Sequence, residues 1–169
     1  NTDLEADRMI ASVQTIHDFF ERYGWRCDFD GETATWVTGF RGKTANFNIM
    51  VHLTENWLYF IISPFANAPQ TVICEQRLCQ YLLRLNHTIN LAKFSIDSDG
   101  DVVLTVEIPT EGLSYSQFRD GLNAVSYYAD CHYLDVLNLA QSPTYVPAPV
   151  ADEKWWASDL EALELDKPN

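Results

Sequence analysis

Between Leu91 and Asn138 the chain carries two runs of strand character joined by a turn, followed by a long amphipathic helix, and no other stretch constrains the fold so tightly. The first run, Ala92 to Ser98, and the second, Val102 to Ile108, meet at Asp97-Ser98-Asp99-Gly100-Asp101, where Asp99-Gly100 supplies the left-handed backbone that a tight hairpin requires. Phe94 and Ile96 oppose Val102, Leu104 and Val106 as one apolar side. Pro109-Thr110-Glu111-Gly112 then breaks the sheet. Ser114 stands before Gln117 as a capping box, and Phe118, Leu122, Val125 and Ala129 follow at helical spacing. These are signals of scaffold, and none of them is catalytic.

The rest of the chain falls into the same kind of elements. Thr2 and Glu5 form a capping box for a first helix whose apolar stripe is Met9, Val13, Ile16 and Phe20, and Gly24 ends it. Strand character follows at Trp25 to Phe29, at Thr33 to Phe40 after Asp30-Gly31, and at Ala45 to Leu53, where Phe47, Ile49, Val51 and Leu53 alternate with polar partners. After Thr54-Glu55-Asn56, the unbroken apolar run Trp57 to Ile62 predicts a central strand, or one covered on both faces. Pro64 and Pro69 bound a loop, with Pro69 at the first turn of a helix carrying Val72, Leu78, Leu82 and Leu85. The order α-β-β-β-(β)-α-β-β-α predicts an α+β fold: an antiparallel sheet of about five strands packed against helices.

Composition restricts the function classes. With 169 residues, 47% of them hydrophobic, the chain can bury a core without metal or disulfide staples. Its 24 acidic against 11 basic residues, a net charge of -13, repel phosphate backbones and anionic lipid, so neither nucleic acid nor membrane is an expected partner. The longest apolar run is far short of the roughly 20 residues that span a bilayer. Cys27, Cys74, Cys79 and Cys131 lack paired CxxC spacing, which favours a reducing cytoplasm over a zinc site or a disulfide framework. The first residue is Asn1 rather than Met, which leaves room for a removed leading segment. Asn86-His87-Thr88 fits the glycosylation pattern, a weak pointer to secretion.

The element order, together with Leu85-Asn86, Lys93-Phe94-Ser95-Ile96-Asp97, Asp99-Gly100-Asp101-Val102-Val103-Leu104, Leu113-Ser114 and the closing helix with Asp130, resembles the YbjN family of bacteria. That family's fold is similar to the type III secretion chaperones, and its members are described as sensory-transduction regulators or chaperone-like proteins. The resemblance covers roughly Glu5 to Ala140. It implies a secretion-chaperone-like α+β domain that pairs as a homodimer, binds other polypeptides and performs no chemistry; it brings no catalytic residues and no cofactor.

Motifs with chemical potential have plain structural readings. Asp97, Asp99 and Asp101 suggest a calcium loop, but the position that should hold a bidentate Glu is Ile108, and the glycine comes too early. Cys131 and His132 are consecutive on a helix, about 100° apart, and do not face each other. His17, His52, His87 and His132 show no i, i+4 pair, and no Walker loop, G-x-G-x-x-G or G-x-S-x-G occurs. Trp25, Trp36, Trp57, Phe47, Tyr59 and Phe60 read as core and sheet-face packing. The expected organisation is a YbjN-like domain over 1–141, a Pro-rich linker over 142–151 containing Pro143, Pro147 and Pro149, and an acidic tail over 152–169. In the tail, Ser158 with Glu161 forms a further capping box, and Trp156, Leu160 and Leu163, with Trp155 beside them, make an apolar edge that must be buried on this domain, on a dimer mate or on a partner. The leading reading is a non-enzymatic protein-binding module, chaperone-like or regulatory. The alternative is a small-molecule-binding or catalytic α+β domain with a pocket between sheet and helices.

Overall fold

Alternation of apolar and polar residues along the strands builds a sheet that is buried on one face only. The computed structural model describes residues 10–150. The strands β1 (Asp28–Asp30), β2 (Thr35–Arg41), β3 (Asn46–Leu53) and β4 (Trp57–Ala66) form an antiparallel meander, preceded by helix α1 (Val13–Tyr23). Helix α2 (Val72–Thr88) carries the chain to the far edge, where β5 (Ala92–Ile96) turns back as β6 (Val102–Pro109), and helix α3 (Tyr115–Gln141) closes the layer. Because β6 inserts beside β4, the six-stranded order is β1-β2-β3-β4-β6-β5, all antiparallel. The sheet thus has one strand more than the five or so expected, and the α+β arrangement of an antiparallel sheet packed against helices holds.

The core lies between the buried sheet face and the helices. Trp36, Ile49, Val51, Leu58, Phe60, Leu104, Phe118 and Leu122 are fully buried there. The Phe60 and Phe118 rings lie 5.6 Å apart, and Phe20 meets Phe118 edge-on at 5.0 Å. Gly121 lets α3 settle onto the sheet, since a Cβ there would come within 2.8 Å of Phe60 and 2.9 Å of Ile108. Across the hairpin Phe94 opposes Leu104 and Ile96 opposes Val102, as the alternation predicts, and Gly100 has the left-handed φ of 85°. Ile96, however, sits at the strand end and stays exposed.

Several boundaries differ from the sequence reading for local reasons. Ile10 is bridged to Glu111 and Ser12 is extended, so α1 starts at Val13, capped by the reciprocal Ser12 and Thr15 pair. Thr2, Glu5 and Met9 lie outside the described residues. The strand expected at Trp25 to Phe29 is reduced to β1, which begins only at Asp28 and ends where Asp30 accepts from the Glu32 amide and the Thr33 hydroxyl and starts the turn. β4 continues through Pro64 to Ala66, with a register shift after Ile62 that accommodates the proline, so no loop begins there. It is central and covered on one face, not both. Pro69 precedes the helix, whose cap is Thr71, and Val72 on its first turn faces outward.

Candidate polypeptide-binding groove

Beyond α3 the chain cannot remain helical, because Ser142 is extended and Pro143 follows. The segment Ser142 to Val150 returns along the outer surface of α2 and α3, held chiefly through its backbone. From α2, the Arg77 guanidinium donates to the carbonyl of Pro143 at 2.5 Å and of Ser142 at 3.5 Å, and to that of Tyr145. From α3, Asp135 accepts from the Tyr145 hydroxyl at 2.6 Å and the Ala148 amide at 3.4 Å. Its other carboxylate oxygen accepts from the Tyr81 hydroxyl at 3.2 Å, which ties the two helices together. Burial first, and the Asp135 carboxylate second, push the Tyr81 phenol far up, so it stays a neutral donor at any ordinary pH.

Past Asp135 the groove opens into a cleft of 330 Å³ lined by Tyr81, Leu85, Ile89, Tyr128 and His132 and, from the returning segment, by Pro149 and Val150. His132 stacks on Tyr128 at 6.1 Å and meets Phe94 edge-on at 6.2 Å. Burial holds its imidazole below the ordinary histidine range, so the floor is neutral and aromatic. Cys131 is exposed on the same wall. Along the neighbouring part of the groove, Arg77 and Arg84 add positive charge in a surface that is otherwise strongly acidic.

A second open surface is the sheet face away from the helices. Val37, Met50, Ile61, Thr105 and Lys93 form one cross-strand row over five strands, and Trp57 is exposed nearby. Both sheet edges are guarded. On β5 the Asn86 side chain donates to the Phe94 carbonyl at 2.9 Å and accepts from its amide at 2.8 Å, and β1 is short and carries Asp28 and Asp30. With its amide so engaged, Asn86 has a structural role that accounts for it without glycosylation.

The other motifs take their structural readings. Asp97 accepts from the amides of Asp99 and Asp101, and Asp101 accepts from the Ala68 amide, so these carboxylates shape the hairpin and its neighbour. Among the described residues no cluster of His, Cys, Asp and Glu forms a metal site. His17 accepts from the Trp36 indole and His52 pairs with Thr35. Asp130 accepts from the Lys43 amide at 2.6 Å and pins the β2–β3 turn to α3. Trp155, Trp156, Leu160 and Leu163 lie outside the described residues. Sequence reasoning missed Arg77, Tyr81, Tyr128, Asp135 and Tyr145; the signal available was the i, i+4, i+7 row Tyr128, His132 and Asp135, a polar stripe beside the apolar stripe of the same helix.

A six-stranded antiparallel sheet with helices on one face, its order set by a hairpin inserted beside the fourth strand, places the chain in the α+β class. The chain belongs to the YbjN family: the family model, described as "putative bacterial sensory transduction regulator", matches residues 12–136. YbjN of E. coli shares the fold with a TM-score of 0.55 at 13% identity, covering 76% of this chain and 95% of that one. A chain of the heterodimeric ExoU–SpcU complex from the type III secretion system of Pseudomonas aeruginosa gives 0.51 at 15% identity, covering 73% and 96%. The Yersinia pestis type III secretion chaperone SycH, solved with a fragment of YscM2, gives 0.49 at 13%, covering 70% and 97%. No curated protein matches the chain by sequence. The described groove residues of α2 and α3 fall within the family match, whereas Ser142 to Val150 follow it.

Proposed function

We propose that this chain is a non-enzymatic polypeptide-binding module, chaperone-like or regulatory, which takes an extended segment of a protein partner into the α2–α3 groove. The observation that carries the reading is Arg77, whose guanidinium serves main-chain carbonyls of three residues in an extended segment. Main-chain recognition of this kind accepts many sequences, with the cleft floor selecting an apolar or aromatic side chain. The fold-level likeness to a member of a heterodimeric secretion complex is consistent with such a role. The catalytic alternative has less support. The space between sheet and helices is filled by Phe60, Phe118 and Leu122, and the cleft's one carboxylate, Asp135, is engaged by Tyr81, Tyr145 and Ala148. No helix among the described residues is long and apolar enough to cross a membrane, and all four cysteines are free thiols, which suits the cytoplasm. Pairing into a homodimer is part of the same reading.

The test is selection of a random peptide library on the immobilised protein. Extended peptides with an aromatic or large apolar residue should be enriched, bind with micromolar Kd and lose about tenfold in affinity in Tyr128→Ala or His132→Ala. Failure to enrich any peptide, or binding unchanged by both substitutions, would reject the groove.

A further inference from the structure

We infer that residues 151–165 dock in cis into the cleft floored by Leu85, Ile89, Tyr128 and His132, so that the chain carries its own occupant, which a partner peptide must displace. The inference rests on the groove reading above and names the first ligand of that groove. The segment Ser142 to Val150 is already strapped along α2 and α3, and its last residues, Pro149 and Val150, line the cleft itself, so the chain that follows starts at the cleft. Trp155 and Trp156 follow Val150 by five and six residues. An extended chain advances about 3.3 Å per residue, which gives a reach of about 16 to 20 Å from Val150, enough for both indoles to return into the cleft.

Size, charge and pattern agree. At 330 Å³ the cleft lies at the low end of the range of about 300–1,000 Å³ that binds small groups, which suits large side chains rather than a folded surface. The segment contains Asp152, Glu153, Asp159, Glu161 and Glu164, and the adjoining groove wall carries Arg77 and Arg84, whereas the molecule as a whole is acidic. Trp156, Leu160 and Leu163 recur at i, i+4, i+7, so one helical edge can follow the indole down and cover the exposed Tyr127 on the cleft's lining. Tethering through the strapped segment raises the local concentration to the millimolar range, enough to keep a weak contact closed.

Cys131 reports occupancy directly, because it is exposed and lines the cleft. The experiment follows N-ethylmaleimide labelling of each cysteine in the full chain by peptide mass spectrometry, in the unsubstituted protein and in Trp155→Ser/Trp156→Ser. Docking in cis predicts labelling of Cys131 about tenfold faster in the double variant, an unchanged rate at Cys27, and protection independent of protein concentration. Equal rates at Cys131 in the two proteins overturn the inference, and protection that grows with concentration assigns the occupant to a second copy and overturns it as well. Hydrogen exchange on the unsubstituted chain decides the point without a variant: slowed amides between residues 152 and 163 support docking, and random-coil exchange rejects it. If Cys131 is protected yet no library peptide binds either protein, the polypeptide-partner reading fails while this inference stands. If peptides bind through Tyr128 and Cys131 reacts equally in both proteins, this inference alone fails.

Discussion

Asn86 shows how one side chain can settle what an element is able to do. Its carboxamide pairs with both backbone groups of Phe94, in place of the strand that would otherwise add to β5. Asn86→Ala should therefore cost about 1–3 kcal/mol in urea unfolding, since it orphans a half-buried donor and acceptor together. A loss below a few tenths would mean that water replaces the amide without penalty. Thr105 presents the opposite case. It sits in the middle of the uncovered sheet face between Ile61 and Lys93, and its Oγ1 is buried without a partner. Thr105→Val keeps the shape and removes the unmet hydroxyl, so stability should rise by about 1 kcal/mol. A clear destabilisation would show that the hydroxyl does find a partner.

At the scale of elements, α3 carries two stripes with different tasks. Phe118, Leu122, Val125 and Ala129 bury against the sheet, and the reciprocal Ser114 and Gln117 cap begins the helix, as the sequence predicts. Tyr128, His132 and Asp135 face the groove instead. Burial lowers the proton affinity of His132 in the fold, while the nearby Asp135 carboxylate partly opposes this. The unfolded chain then binds the proton at higher pH than the folded one, so stability contributed by the neutral imidazole is present above about pH 6.5 and declines as pH falls below it. Melting temperature should drop between pH 7 and pH 5, and His132→Phe, which keeps a ring over Tyr128, should remove part of that drop. An identical pH profile in the variant would exclude His132 as a contributor.

At the scale of the whole molecule, the proposed homodimer has two apolar surfaces to choose between. The homodimer proposed with this fold should bury about 800 Å² or more on each partner, and a surface of net charge -13 makes an apolar face the only favourable meeting ground. Among the described residues two faces qualify: the sheet row with Val37 and Met50, and the outer side of α2 with Ile73 and Leu83. Light scattering from micromolar to near-millimolar concentration should give twice the chain mass, and one of Met50→Glu and Leu83→Glu should return it to the monomer. A monomer mass throughout would end the proposal.

The sequence by itself determined the scaffold: element order, the hairpin register set by Phe94 and Leu104, the cap at Ser114, and the apolar faces all follow from spacings of two to four residues, which local chemistry governs. The insertion of β6 beside β4 was not available to that reasoning, nor was the continuation of β4 through Pro64, because pairing partners far apart in the chain decide both. The groove lay further still from reach. Arg77, Tyr81, Asp135 and Tyr145 become one site only when α2 and α3 lie side by side and the chain doubles back over them. Each is unremarkable in its own stretch of sequence. Their chemistry comes from tertiary packing, which gives a guanidinium three carbonyl-bearing residues to serve and a carboxylate two phenols to hold.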